Sequence, residues 1–195
     1  MITLGEIAGL ISIVSFAPYF YQTIRGTVRP ERITWFIWTV LQVIAVVSQA
    51  SAGGHDSLWF PLVGAVCAAT IFILSIFKGI GGFNRFDLTC LGLAVIGLIG
   101  WQLSRQPIVA IVAIIFADAM GVLPTIRKSY LNPESESWIF FGGDTVAGLL
   151  AAGAVGSLNI ILLLYPAYIA LANAAVVIAI YLGYARKKRK AVKHV

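Results

Sequence analysis

Residues 87–124 read DLTCLGLAVIGLIGWQLSRQPIVAIVAIIFADAMGVLP, and whether they form one helix or two decides the fold. At 1.5 Å per residue an unbroken helix would run for about 57 Å, nearly twice the ~30 Å hydrocarbon core of a bilayer. The polar step Ser104-Arg105-Gln106-Pro107 divides the stretch, and Pro107 suits the first turn of a second helix. Outward from here, polar breaks set off further apolar stretches, each about 20 residues long as a membrane helix requires. The resulting spans cover residues 3–22, 33–52, 59–77, 87–104, 107–124, 137–155 and 159–184. Composition agrees, since 59% of the 195 residues are hydrophobic and 11% are charged, against roughly a quarter charged in soluble domains. An all-α integral membrane protein with seven transmembrane helices is expected.

With seven spans the connections alternate between two sides. Arg25, Arg29, Arg32, Lys78, Arg85, Arg127, Lys128 and the basic residues from Arg186 to Lys193 fall on one side, leaving only Arg105 of the 14 Lys and Arg for the other. The positive-inside bias makes the rich side cytoplasmic, with the N terminus out and the C terminus in. The formal charge of +6 then reflects topology in a lipid bilayer rather than a nucleic-acid interface, and the expected location is the plasma (inner) membrane. The first span has no basic n-region and no small-residue cleavage context, so it reads as a retained helix. Cys67 and Cys90 lie in spans, away from any extracellular disulfide, while His55 and His194 fall in a loop and a tail. Neither a metal site nor a cofactor is expected.

The sequence repeats itself. Arg29-Pro30-Glu31-Arg32-Ile33-Thr34-Trp35 is similar to Asn132-Pro133-Glu134-Ser135-Glu136-Ser137-Trp138, at an offset of 103. Upstream, Thr23-Ile24-Arg25 recurs as Thr125-Ile126-Arg127, each after a helix ending near Pro18 or Pro124. Downstream, Leu58-Trp59-Phe60-Pro61-Leu62 is similar to Leu163-Leu164-Tyr165-Pro166-Ala167 at an offset of 105. Three helices, one helix, three helices is the implied 3+1+3 layout: a first repeat over 1–80, a linker helix over 81–106, a second repeat over 107–185 and a basic cytoplasmic tail over 186–195. The single linker helix makes the repeats parallel, a known transporter plan with its site near midplane between the halves.

A helix ending in proline, a basic turn and a second helix opened by a polar-aromatic run stand at Pro18-Tyr19-Phe20-Tyr21-Gln22-Thr23-Ile24-Arg25 and at Pro124-Thr125-Ile126-Arg127-Lys128-Ser129-Tyr130. With seven spans, this pattern resembles the SWEET branch of the PQ-loop (MtN3-like) transporter superfamily, as a divergent member with Tyr19 and Thr125 in place of the eponymous glutamine. The resemblance implies alternating access, with Pro18 and Pro124 as hinge or gate residues; simple helix termination is the alternative. It also implies substrate contact by Asn173, whose partner in the first repeat would fall at Cys67 or Ala68.

Ionisable groups inside a span are functional candidates by default. Asp118 and Asp144 both fall in the second repeat, roughly 9–11 Å from the cytoplasmic end, where they can share a layer; the first repeat offers neutral Ser12, Thr39 and Gln42. The acids suit proton carriage or a cationic group, or alternatively a polar network that holds helices together. Trp38 is deep enough to stack on a solute ring, whereas Trp35, Trp59, Trp101 and Trp138 fall near interfaces and read as belt anchors. Gly92, Gly97 and Gly100, echoed by Gly148, Gly153 and Gly156, suggest close helix contacts. No metal cluster, nucleophile–base pair or phosphate loop points to an enzyme. The expected function is transport of a small polar solute, sugar-like or amino-acid-like, with proton linkage as one form, substrate residues Asn173, Asp118, Asp144, Trp38 and Gln42, and room for a homo-oligomer. A non-transporting receptor or scaffold of PQ-loop architecture is the alternative.

Overall fold

The computed structural model describes residues 4–51, 59–103, 107–154 and 160–192; His55, Arg105, Gly156 and His194 lie outside them. Among the described residues the chain is all-helical: α1 (Leu4–Arg25), α2 (Arg32–Ser51), α3 (Trp59–Lys78), α4 (Arg85–Leu103), α5 (Pro107–Leu131), α6 (Trp138–Ala154) and α7 (Ile160–Val192), with one 3-10 turn at Pro133–Ser135. The stretch that opened the sequence reading is two helices, the second starting at Pro107.

Three expectations about helix ends are corrected. Pro18 and Pro124 lie inside α1 and α5, which continue to Arg25 and Leu131. A proline removes only its own donor to the carbonyl four residues back, so each ladder loses a bond at Val14 or Met120 and then resumes. The basic tail is likewise helical through Val192, as its run of Lys, Arg and Ala favours.

The packed pairs are α1 with α6 and α3; α2 with α3, α5 and α4; α4 with α5; and α7 with α5 and α6. The first two helices of each triplet, α1/α2 and α5/α6, make no close backbone approach among the described residues, although the Tyr19 and Trp35 rings meet across α1 and α2. Glycine sets two of the closest approaches. A Cβ at Gly143 would lie 1.8 Å from Ser15 Oγ on α1, and one at Gly148 would lie 2.8 Å from the Ala170 backbone on α7. The wider glycine expectation is corrected: Gly97 meets α5, but Gly92, Gly100 and Gly153 face open space, so they admit no neighbouring backbone.

The apolar surface points outward. Leu10, Val14, Ile96, Leu149, Leu171 and Ile178 are all exposed. Two helical stretches, Leu4–Arg25 and Leu163–Lys190, are long and apolar enough to cross a membrane, and only 22% and 28% of their apolar windows are buried, whereas a helix at the centre of a soluble bundle is buried over most of its surface. Inside, Tyr19, Trp35, Ile71, Phe140, Phe141 and Val176 form one core cluster.

Candidate functional site: carboxylates in two helix seams

Asp118 on α5 is buried, and its Oδ2 accepts a 2.6 Å hydrogen bond from the Tyr168 hydroxyl on α7. Trp38 on α2 brings its indole N–H alongside the same carboxylate without reaching hydrogen-bond geometry, and that N–H has no other partner. Asp144 on α6 accepts a 2.6 Å hydrogen bond from Ser12 Oγ on α1. The acids thus occupy different places, Asp118 where α5 meets both α7 and α2 and Asp144 between α1 and α6, and no hydrogen bond joins them to each other or to Asn173 among the described residues. Asn173 is buried and donates to Ile169 O on its own helix at 2.9 Å. The Gln42 amide packs where α2 meets Gly64 of α3.

One number relates the two seams. An offset of 106 takes Ser12 to Asp118 and Trp38 to Asp144, so the Ser12–Asp144 pair across α1 and α6 is matched by Asp118–Trp38 across α5 and α2. The same offset turns the Ser15–Gly143 approach into the approach of Gly121 to Ile37, and the Tyr19–Phe140 ring contact into the Thr125–Thr34 hydrogen bond. This seam register differs by three residues from the offset of 103 in the loop motif, where Pro30 and Pro133 are both fully buried and the 3-10 turn Pro133–Ser135 precedes α6. Trp35 corresponds to Phe141, both buried, rather than to Trp138, which is 55% exposed. On α3, buried Ala65, Ala68, Ile71 and Ser75 precede buried Ala170, Asn173, Val176 and Ile180 of α7 by 105, so Asn173 pairs with Ala68.

Sequence reasoning missed a polar cluster at the basic end. Trp35, expected in an interfacial belt, is buried and donates its indole N–H to the Tyr19 hydroxyl at 3.1 Å; the Trp59 and Trp101 side chains lie outside the described residues. Lys128 is buried in an ion pair with Glu136 and also donates to Arg29 O at 2.6 Å. Glu31 Oε2 accepts the Thr34 N–H at 2.8 Å, while Oε1 is buried without a hydrogen-bond partner. Arg32 does more than set topology: its guanidinium donates to the carbonyl of Ser75 in the last turn of α3 and to those of Gly79 and Gly81 just beyond it, placing a cation at the negative end of the helix dipole. The tail docks too, with Arg186 donating to Leu131 O and Lys187 paired with Glu134. One signal was legible: Asn84-x-x-Asp87 is a capping pattern, and Asp87 N–H does donate to Asn84 Oδ1 at 3.0 Å.

Burial pushes the Glu31 carboxyl up to about 7, with the Asp87 charge adding to the rise. Between its ordinary value of 4.5 and 7, the folded chain then holds a proton that the unfolded chain has released, so stability falls as pH rises through that window, by roughly 3 kcal/mol. Thermal unfolding in detergent at about pH 5 and about pH 8 checks this. Glu31→Gln is expected to flatten the pH dependence, and an unchanged slope in that variant contradicts it.

Compared with known proteins, the chain matches no family model, no curated protein and no solved structure.

Proposed function

We propose that the chain is an integral membrane carrier, resembling the SWEET and PQ-loop transporters, that moves a small polar solute by alternating access. In this reading all seven helices cross the plasma (inner) membrane, N terminus out and C terminus in. α1–α3 and α5–α7 are parallel repeats, α4 is the linker, and the solute passes between the repeats beside Asp118 and Asp144.

The observation that carries it is the repetition of the seam contacts at an offset of 106. The packed pairs support it as well. Exchanging α1 with α5, α2 with α6 and α3 with α7 turns α1–α3 into α5–α7, α2–α3 into α6–α7 and α1–α6 into α5–α2, every one of which is a packed pair. Two halves related by a two-fold axis would produce this exchange, and on such a plan transporters place substrate between the repeats. The outward apolar surface fits lipid contact. The hydrogen bonds that gather Arg29, Arg32, Lys128, Arg186 and Lys187 at one end fit the positive-inside bias.

The two halves are chemically unequal in an ordered way. Asp144 on α6 is met by the Ser12 hydroxyl of α1, whereas Asp118 on α5 is met by the Tyr168 hydroxyl of α7 with the Trp38 indole of α2 alongside. A carboxylate in such a seam binds a proton, a cationic group or the hydroxyls of a solute. The experiment is uptake into liposomes of a panel of sugars and amino acids, at two pH values, by the wild type, Asp118→Asn and Asp144→Asn. At least one substitution, which keeps size and acceptor oxygen but removes the charge, is expected to lower flux about tenfold or more or to abolish its pH dependence. If both variants keep the wild-type rate and pH profile, the carboxylates are structural and the proposed site is wrong.

A further inference from the structure

At the basic end, the α1–α2, α3–α4 and α5–α6 loops and the end of α5 line a half-open cleft of about 510 Å3 that reaches Pro124. Six charged side chains line it, and two of them are already neutralised by ion pairs: Lys128 by Glu136, and Glu134 by Lys187. The other four are Arg29, Arg127, Glu31 and Asp87, and among the described residues none of them forms an ion pair. Opposite charges therefore share one cleft without meeting. Arg127 rests its guanidinium over the Phe86 ring, 5.2 Å from the centroid. Asp87 is held by the Gly82 N–H at 2.7 Å and the Asn84 amide at 2.6 Å. Glu31 and Asp87 converge on Gly81: a Cβ there would lie 2.2 Å from Glu31 Oε1 and 3.2 Å from Asp87 Oδ2. Glu31 is 1% exposed, and its Oε1 is the oxygen with no hydrogen-bond partner.

We propose that this cleft binds a small zwitterion, with its ammonium group directed to Glu31 and Asp87 and its anionic group to Arg29 and Arg127. A lone anion would leave the buried Glu31 oxygen without a donor, which is costly. A lone cation would forgo the attraction that the Arg29 and Arg127 guanidinium groups, exposed at the mouth, offer an anionic group. A zwitterion answers both with charge-assisted hydrogen bonds and adds no net charge to the cleft. The volume lies within the range of about 300–1,000 Å3 typical of small-molecule pockets. Two sources supply this chemistry at a membrane surface, a free amino acid and the ethanolamine phosphate of a lipid headgroup. The site is separate from the seam carboxylates and does not depend on transport, because binding is read on the purified chain without flux.

The test is the thermal unfolding midpoint of the full chain at about pH 8, where Glu31 is mostly ionised, in detergent with alanine, with ethylammonium and with propionate, and in nanodiscs with and without phosphatidylethanolamine. Alanine is expected to raise the midpoint where ethylammonium and propionate alone do not; stabilisation confined to phosphatidylethanolamine nanodiscs assigns the same chemistry to a lipid. Glu31→Gln and Arg127→Gln should each weaken binding about tenfold or more. Arg127 is exposed, so its substitution leaves folding intact and keeps the test decisive. An equal response to ethylammonium, no response to any zwitterion, or wild-type binding by Arg127→Gln overturns the proposal.

Discussion

Replacing Lys128 by Met is expected to destabilise the folded chain by about 3–5 kcal/mol, the cost of breaking a buried ion pair by removing one partner. The side chains of Lys128 and Glu136 are 5% and 0% exposed, so no water replaces the lost ammonium. The carboxylate would keep only the Ser137 N–H at 3.2 Å and a long 3.5 Å contact from the Tyr19 hydroxyl, and Arg29 O would lose its 2.6 Å donor. The damage spreads because this lysine joins the end of α5 to the α1–α2 loop and the α5–α6 loop at one point. Adding Glu136→Gln removes the stranded charge, and the double variant is expected to recover most of the loss, since replacing both partners of a buried pair is often close to neutral. The thermal midpoint in detergent decides it. A single variant within about 0.5 kcal/mol of wild type, the range of surface substitutions, would show that the pair is dispensable.

What was legible in the sequence, and what was not, divides along one physical line. Helix number and most boundaries came from apolar runs and polar breaks, which are local, and Pro107 marked the break between α4 and α5 correctly. Asp118 and Asp144 stood out because a carboxylate in an apolar run is conspicuous. Their partners did not: Ser12 is 132 residues from Asp144 and Tyr168 is 50 from Asp118, and such contacts leave no local trace. Trp35 shows the same limit, since an aromatic near a span end looks like a belt residue until Tyr19 is found beneath it. The likeness of Pro30-Glu31 to Pro133-Glu134 did not extend to burial: Glu31 is buried, but Glu134 is exposed beside Lys187 and the buried acid of that loop is Glu136. Arg32 and Arg186 read as topology signals, and only coordinates revealed the carbonyls they cap.

The proposed carrier works only if its two triplets separate at the basic end, and one pair of side chains tests this. Thr34 on α2 and Thr125 on α5 are buried across a seam, with their Oγ1 atoms 2.9 Å apart. Thr34 also donates to Gly121 O at 2.6 Å, so the helices touch tightly here. The pair lies close to Pro124, where the α5 ladder lacks a donor and bending is cheapest. Cysteines at 34 and 125, in a chain whose Cys67 and Cys90 are replaced by Ala, would sit near disulfide distance, which asks for Cα atoms roughly 4.4–6.8 Å apart. Uptake into liposomes should be measured with this variant oxidised to completion and again after reduction. Alternating access between the triplets predicts that the disulfide abolishes flux and that reduction restores it. Undiminished flux through the fully cross-linked protein would contradict it.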